Sequence, residues 1–241
     1  MPLPAPPRSL LQDCALFLDF DGTLVAIADR PDAITVAPSL LPLLQGLSRK
    51  LDGRLVVVSG RATADIRQWL VPPEIAVVGS HGLERDGLAI ARPAALDQAL
   101  PDLRELQTRH PGVAIEEKPF GVAIHFRESP QAEEVCRGAA AELAMKAGMQ
   151  VLPGKMVFEI KPADGNKGTA ISALMTLPAF TGHKPLFIGD DITDEDGFAA
   201  VRALGGAAIL VGDERNTAAS FRLDDVDHVH RWLRDACEEM E

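Results

Sequence analysis

Short apolar runs alternate with amphipathic stretches along most of this chain, and that rhythm limits the fold more than any other feature. The runs are ALFLDF (15–20), LVVVS (55–59), IAVVGS (75–80), PLFIGD (185–190) and AAILVG (207–212). Each is apolar on both faces, as a strand must be in the middle of a parallel sheet. Between them, PSLLPLLQGLSRKL places Leu40, Leu44, Leu47 and Leu51 on one helical stripe. RATADIRQWL and NKGTAISALM read as further helices. Strand and helix in alternation predict an α/β fold, a doubly wound parallel-sheet core of the Rossmann-like kind.

The middle of the chain breaks this rhythm. From about 87 to 162 the pattern is helix, strand, strand, helix, strand, strand. The first helix is expected over about 93–109. VAIEEK and GVAIHFR follow, with a tight turn at 119–121. The second helix is QAEEVCRGAAAELAMKAG, after which MQVL and KMVFEIK meet across Pro153-Gly154. Adjacent strands with short turns pair antiparallel. The expected organisation is therefore a core formed by 1–86 and 163–241, with an α+β module, 87–162, inserted into it.

Composition narrows the partners. The chain has 241 residues, of which 46% are hydrophobic, ordinary for a globular protein, and a formal net charge of −11. Such a balance argues against nucleic acid and against an anionic membrane surface. No apolar stretch approaches the ~20 residues of a membrane span. The three cysteines, Cys14, Cys136 and Cys237, are scattered and fit neither a disulfide framework nor a metal spacing. A reducing, cytoplasmic setting is expected, and a monomer. The opening MPLPAPPRSLLQDC has prolines where a signal peptide needs an apolar core, and it is expected to be a loose tail.

Ligands of open parallel sheets bind beyond the carboxyl ends of the strands. Asp19 and Asp21 end the first strand, Ser59 and Arg61 follow the second, and Asp190 and Asp191 follow the fourth. Lys167, in GNKGT, stands where the chain re-enters the core. Acids brought together this way repel unless a cation lies among them, and an all-oxygen set suits Mg²⁺. The arrangement fits phosphoryl transfer. Asp19 would attack phosphorus, Ser59 and Lys167 would steady the phosphate, and Asp21 would carry the proton. Blander readings exist for single members: Asp21-Gly22 as a turn, and Asp194 and Glu195 as acids favouring a helix N-terminus. DGNKGT lacks the spacing of a nucleotide P-loop.

DFDGT, SGR, NKG and GDDITDE, in that order, resemble the haloacid dehalogenase (HAD) superfamily of phosphatases, and the insertion resembles its C2-type cap. GSHGLERDG, IEEKPFGVAIHFR and PGKMVFEIKPADGNKG are similar to segments of the trehalose-6-phosphate phosphatase family. Family members often carry Tyr where this chain has Phe20. The resemblance implies Mg²⁺-dependent hydrolysis of trehalose 6-phosphate through an aspartyl-phosphate. Asp19 is then the nucleophile and Asp21 the general acid and base. Asp19, the Asp21 carbonyl and Asp190 are implied metal ligands, with Asp191 and Asp194 supporting the ion or reaching it through water.

Period-two counting puts Glu116, Lys118, His125, Arg127, Glu159 and Lys161 on one face of the inserted sheet. That face alone reads equally well as merely solvated. The resemblance implies contact with sugar hydroxyls, chiefly by Glu159 and Lys161, then by Lys118, His125 and Arg127. Arg61 and His81 join the expected substrate set, although His81 reads equally well as a turn or core histidine. Glu84 and Arg85 either line the cleft or sit on its hinge side. The competing functions are a phosphatase or mutase for another sugar phosphate (sucrose-phosphate or mannosylglycerate type) and a phosphoacceptor signalling domain without turnover.

Overall fold

The computed structural model describes residues 2–27, 34–70, 74–85, 88–89, 94–118, 120–162 and 165–240. It divides into two units, one made of 1–89 and 166–241, the other of 90–165. The expected boundary at 86 and 87 lies outside the described residues, as does Pro119 of the expected turn.

The first unit carries β1 (Cys14–Leu18), α1 (Leu40–Lys50), β2 (Leu55–Val58), α2 (Thr63–Arg67), β3 (Ala76–Gly79), β4 (Glu84–Arg85) and β5 (Leu88–Ala89). In the second unit follow α3 (Ala94–Arg109), β6 (Ala114–Lys118), β7 (Gly121–His125), α4 (Glu133–Ala147), β8 (Met149–Gly154) and β9 (Val157–Pro162). The chain returns to the first with α5 (Lys167–Met175), β10 (Lys184–Gly189), α6 (Glu195–Ala203), β11 (Ala207–Val211), β12 (Phe221–Leu223) and α7 (Val226–Glu238).

The large sheet has the order β12-β11-β10-β1-β2-β3-β4-β5. Strands β12 to β3 in that order run parallel, while β4 and β5 add an antiparallel edge. Every residue of β1 and β2 is buried, as the continuous apolar runs require. Leu16 and Leu18 face one core with the α1 leucines Leu40, Leu44 and Leu47. Phe17, on the opposite face, joins Phe187, Phe198 and Ile171 in a second core. This is an α/β sheet covered on both sides.

Three differences from the sequence reading stand out. The opening segment is docked: Leu11 is fully buried, the Trp232 indole donates to the Pro6 carbonyl at 2.9 Å, and Arg8 pairs with Asp235 and Glu239. Its partners lie in α7 and just beyond, more than 200 residues away, where no local pattern reveals them. Strands β4, β5 and β12 are too short to carry a period. The last hairpin turns at Lys155-Met156, one step beyond Pro153-Gly154, which pair with Phe158 and Val157. β8 is an edge strand, so the missing N–H of Pro153 is tolerated there.

In the second unit the antiparallel order is β6-β7-β9-β8. Val122, Ile124, Phe126, Phe158 and Ile160 pack with Leu96 and Leu103 of α3 and Cys136, Ala140 and Leu143 of α4. Helix α4 stops at Gly148, which takes the left-handed conformation at φ 64°. No helix among the described residues is long and apolar enough to cross a membrane.

Candidate active site

Parallel register assembles the site. Leu18 of β1 lies beside Ile188 of β10 on one side and Val57 of β2 on the other. Asp19, one residue further, and Asp190 and Ser59, two residues further, therefore emerge at one sheet edge, and the Asp19 amide donates to the Ile188 carbonyl at 2.9 Å. Lys167 opens α5, whose N-cap Asn166 accepts from the Thr169 amide at 2.8 Å. From there its ammonium reaches Asp19 at 2.5 Å and Asp194 at 2.6 Å, with all three side chains at most 5% exposed. A cavity of about 550 Å³ opens above. Of the core residues singled out from sequence, Asp19, Asp21, Ser59, Arg61, His81, Lys167, Asp190 and Asp191 line it, and Asp194 does not.

The charges in this site do not balance. Carboxylate oxygens of Asp19, Asp190 and Asp194 lie within 4.8 Å of one another, with one lysine between them. Burial pushes Asp19 well above the usual carboxylate range, Asp194 and Asp190 push the same way, and Lys167 opposes them. Asp190 is pushed up to about 6, first by burial and then by Asp194. Burial would lower Lys167, but Asp19 and Asp194 outweigh it and hold the ammonium above its ordinary value. When all are ionised, three carboxylates and one ammonium leave two negative charges, which one divalent cation would cancel.

Two further observations fit such an ion. Asp190 Oδ1 is buried without a hydrogen-bond partner. The Asp190 carboxylate also occupies the space a side chain at position 22 would need: a Cβ on Gly22 would lie 2.0 Å from Asp190 Oδ2. Gly22 is at φ +78°, which glycine adopts without strain.

The other sequence-predicted residues take varied places. Asp194 is fully committed, with Oδ1 on Lys167 and Oδ2 accepting from the Asp190 and Asp191 amides at 3.0 Å each. Asp191 is exposed and accepts from the Ile192 amide at 2.6 Å, capping its own turn. Both geometries suit support of a cation site better than direct ligation. Ser59 is buried, and its oxygen accepts from the Arg61 amide at 3.1 Å, which leaves the hydroxyl proton to donate. Arg61 forms a fork on Asp21, Nε to Oδ2 at 2.6 Å and Nη2 to Oδ1 at 2.7 Å, and lies 5.5 Å from the Trp69 ring centre. His81 adopts φ 57°, and a Cβ on Gly60 would lie 2.6 Å from its ring.

In the second unit Lys118 pairs with Glu159 at 2.9 Å and His125 contacts Glu116 at 2.8 Å. The Lys161 ammonium donates to the Gly165 carbonyl at 3.5 Å, and Arg127 is exposed beyond the end of β7. Glu116, Lys118, His125, Glu159 and Lys161 share the polar sheet face opposite the helices.

Two residues take structural roles that the sequence reading did not assign. The Glu84 carboxylate accepts from the Thr63 amide and the Ser80 hydroxyl, each at 2.6 Å, and so ties the His81 segment to the start of α2. Arg215 pairs with Glu195, the first residue of α6. Nothing in the spacing of GDERNTAAS marks that arginine.

The trehalose-phosphatase family profile matches residues 17–227. The chain belongs to the trehalose-phosphatase family. It is 36% identical to the trehalose-6-phosphate phosphatase of Escherichia coli over 231 residues, 91% of this chain and 85% of that one. It is 39% identical to a probable trehalose-phosphate phosphatase of Sinorhizobium fredii over 209 residues, 84% of this chain and 79% of that one. Among solved structures, the trehalose-6-phosphate phosphatase of Aspergillus fumigatus superposes with a TM-score of 0.75 at 25% identity, covering 98% and 99% of the two chains. A HAD-superfamily phosphatase from Bacteroides thetaiotaomicron shares the fold, with a TM-score of 0.62 at 20% identity over 96% and 97%. Membership of the trehalose-phosphatase family makes the chain a phosphoric monoester hydrolase by kinship, and HAD phosphatases generally use a metal ion.

Proposed function

We propose that this chain hydrolyses trehalose 6-phosphate with Mg²⁺. The observation that carries the reading is the meeting of Asp19, Asp190, Ser59 and Lys167 at one sheet edge, beside Asp21. The relatives of that name support the substrate. Asp19 and Asp190, with the Asp21 carbonyl, would hold the cation, and Mg²⁺ bound there would neutralise the charge that opposes attack on phosphate. An Asp19 oxygen attacks phosphorus, and the bond from phosphorus to the sugar oxygen breaks with its electron pair going to that oxygen. Asp21 gives the sugar oxygen a proton and later takes one from the water that attacks the aspartyl-phosphate, whose bond from phosphorus to Asp19 then breaks with its electron pair returning to the carboxylate. Arg61 occupies both Asp21 oxygens in this structure, so the fork opens before Asp21 donates. Ser59 and Lys167 donate to phosphate oxygens.

On the second unit's polar face, Glu159 and Lys161, with Lys118, His125 and Arg127, bind the sugar hydroxyls. Arg61 and His81 contribute from the cavity wall. Energy from such remote contacts goes into orienting the phosphate. The test is phosphate release across trehalose 6-phosphate, sucrose 6-phosphate, glucose 6-phosphate and a small aryl phosphate. Trehalose 6-phosphate should be turned over fastest. Glu159→Ala and Lys161→Ala should lower its kcat/KM roughly 10- to 1,000-fold, because hydrogen bonds to charged groups and closure are lost together. The aryl phosphate, which has no sugar, should be hardly affected. Faster hydrolysis of another sugar phosphate would overturn the substrate; equal losses on both substrates would make the two residues structural.

Cation binding should depend on pH. With Asp190 at about 6, the cation-free protein holds a proton there that the unfolded chain has already lost at pH 5. Stability of the cation-free protein should therefore fall as pH rises from the ordinary carboxylate range through about 6. Mg²⁺ must displace that proton, so its affinity should weaken below about pH 6 with proton release. Titration calorimetry in two buffers of different ionisation enthalpy measures both effects. An affinity independent of pH across that window would count against Asp190 as a ligand.

A further inference from the structure

The acid turn is gripped on both sides of its backbone, and the second grip comes from far along the chain. Asp194 takes the amides of Asp190 and Asp191. The carbonyls of the same two residues accept from Arg215 Nη2, at 3.2 Å and 2.8 Å. Arg215 Nη1 is meanwhile paired with Glu195, whose other oxygen accepts from the Ala218 amide at 2.7 Å. The loop between β11 and β12 is thereby fastened to both the acid turn and the start of α6. Neither Arg215 nor Glu195 lines the cavity, and their side chains are only 25% and 26% exposed.

We propose that Arg215 is a positioning residue that sets the cation affinity of the site. The inference rests on the reading that Asp19 and Asp190 hold a divalent ion. Arg215 fixes the peptide groups of Asp190 and Asp191, and through them the direction in which the Asp190 carboxylate leaves the backbone over Gly22. A guanidinium suits this task because its two amino groups point in fixed directions, one to the Glu195 carboxylate and one to the carbonyls. An ammonium on a flexible stem keeps the charge but not both rows of contacts. Removing such an outer partner of a metal ligand costs about 10- to 100-fold in affinity.

The test uses Mn²⁺ as the probe, with free ion counted by electron paramagnetic resonance on the full chain without substrate. Wild type, Asp190→Asn, Arg215→Met and Arg215→Lys are compared, with circular dichroism and thermal unfolding as folding checks. Wild type should bind and Asp190→Asn should not. Arg215→Met should bind about 10- to 100-fold more weakly, and Arg215→Lys should fall between. In turnover assays, excess cation should restore kcat in Arg215→Met. If wild type fails to bind, or Asp190→Asn binds equally well, the cation reading falls and this inference with it. If those two behave as expected but Arg215→Met binds like wild type, the inference alone is overturned. A lowered kcat that no cation concentration restores, at unchanged Mn²⁺ affinity, overturns it too. Should Arg215→Met not fold, Arg215→Lys decides, and wild-type affinity in that variant sinks the proposal.

Discussion

Asp19→Asn should lower turnover of trehalose 6-phosphate by roughly 10⁴- to 10⁶-fold, the scale seen when a nucleophile is removed. An amide is a poor nucleophile toward phosphorus and a weak cation ligand, so attack and ion binding fail together. Asp21→Asn should be as inactive in steady state for a different reason: it keeps the nucleophile and loses the proton carrier. A short reaction with a good aryl leaving group should therefore label Asp21→Asn with phosphate and leave Asp19→Asn unlabelled. Stability should move the opposite way from activity. Burial holds Asp19 well above the usual carboxylate range, so ionising it costs the cation-free fold stability. Asparagine removes that charge, and Lys167 keeps Asp194 as a partner at 2.6 Å. The cation-free variant should unfold at an equal or higher temperature than wild type, and Mg²⁺ should no longer raise it. A variant that is both inactive and markedly less stable would mean that Asp19 acts by holding the fold.

Gly22→Ala should abolish the cation site without replacing any ionisable residue. The new Cβ would stand 2.0 Å from Asp190 Oδ2 and 2.3 Å from its Cγ, so the carboxylate must leave its position. The backbone at φ +78° adds strain of roughly 1–2 kcal/mol for any L side chain. A displacement of about 1 Å at a reacting centre costs on the order of 10²-fold, and loss of the ion adds to that. Mn²⁺ binding should become undetectable, turnover should fall by at least about 10²-fold, and the melting temperature should drop by only a few degrees. Wild-type Mn²⁺ affinity in Gly22→Ala would show that Asp190 does not hold the ion where it now stands.

The sites of these two substitutions were legible to different degrees. Asp19 announced itself, because an acid ending a buried apolar run has few structural uses. Gly22 read as a turn residue in DFDGT, and nothing in that segment says that a carboxylate 168 positions later fills the space beside it. Arg61 was expected on the substrate, and the structure pairs it with Asp21. Sequence can place an arginine near the strand ends but cannot choose among the acids within its reach. Asp194 looked like a ligand or a helix-end acid, and its complete commitment to Lys167 and two amides became visible only with the turn folded.

The parallel core, the inserted α+β unit and the strand-end acids are legible in the sequence alone. Those features are written in local periods: continuous apolar runs for buried strands, alternation for the inserted sheet, and polar residues where each run stops. Parallel register then leaves little freedom, since neighbouring strands that start in step also end in step. Features that depend on distant segments meeting appear only in the folded chain. The opening residues lie against α7 and the segment after it, the Glu84 carboxylate ties two loops, and Arg215 grips the acid turn. Such contacts are single hydrogen bonds between irregular segments. They have no period, and each residue's own neighbours in sequence are the same whether the bond forms or not.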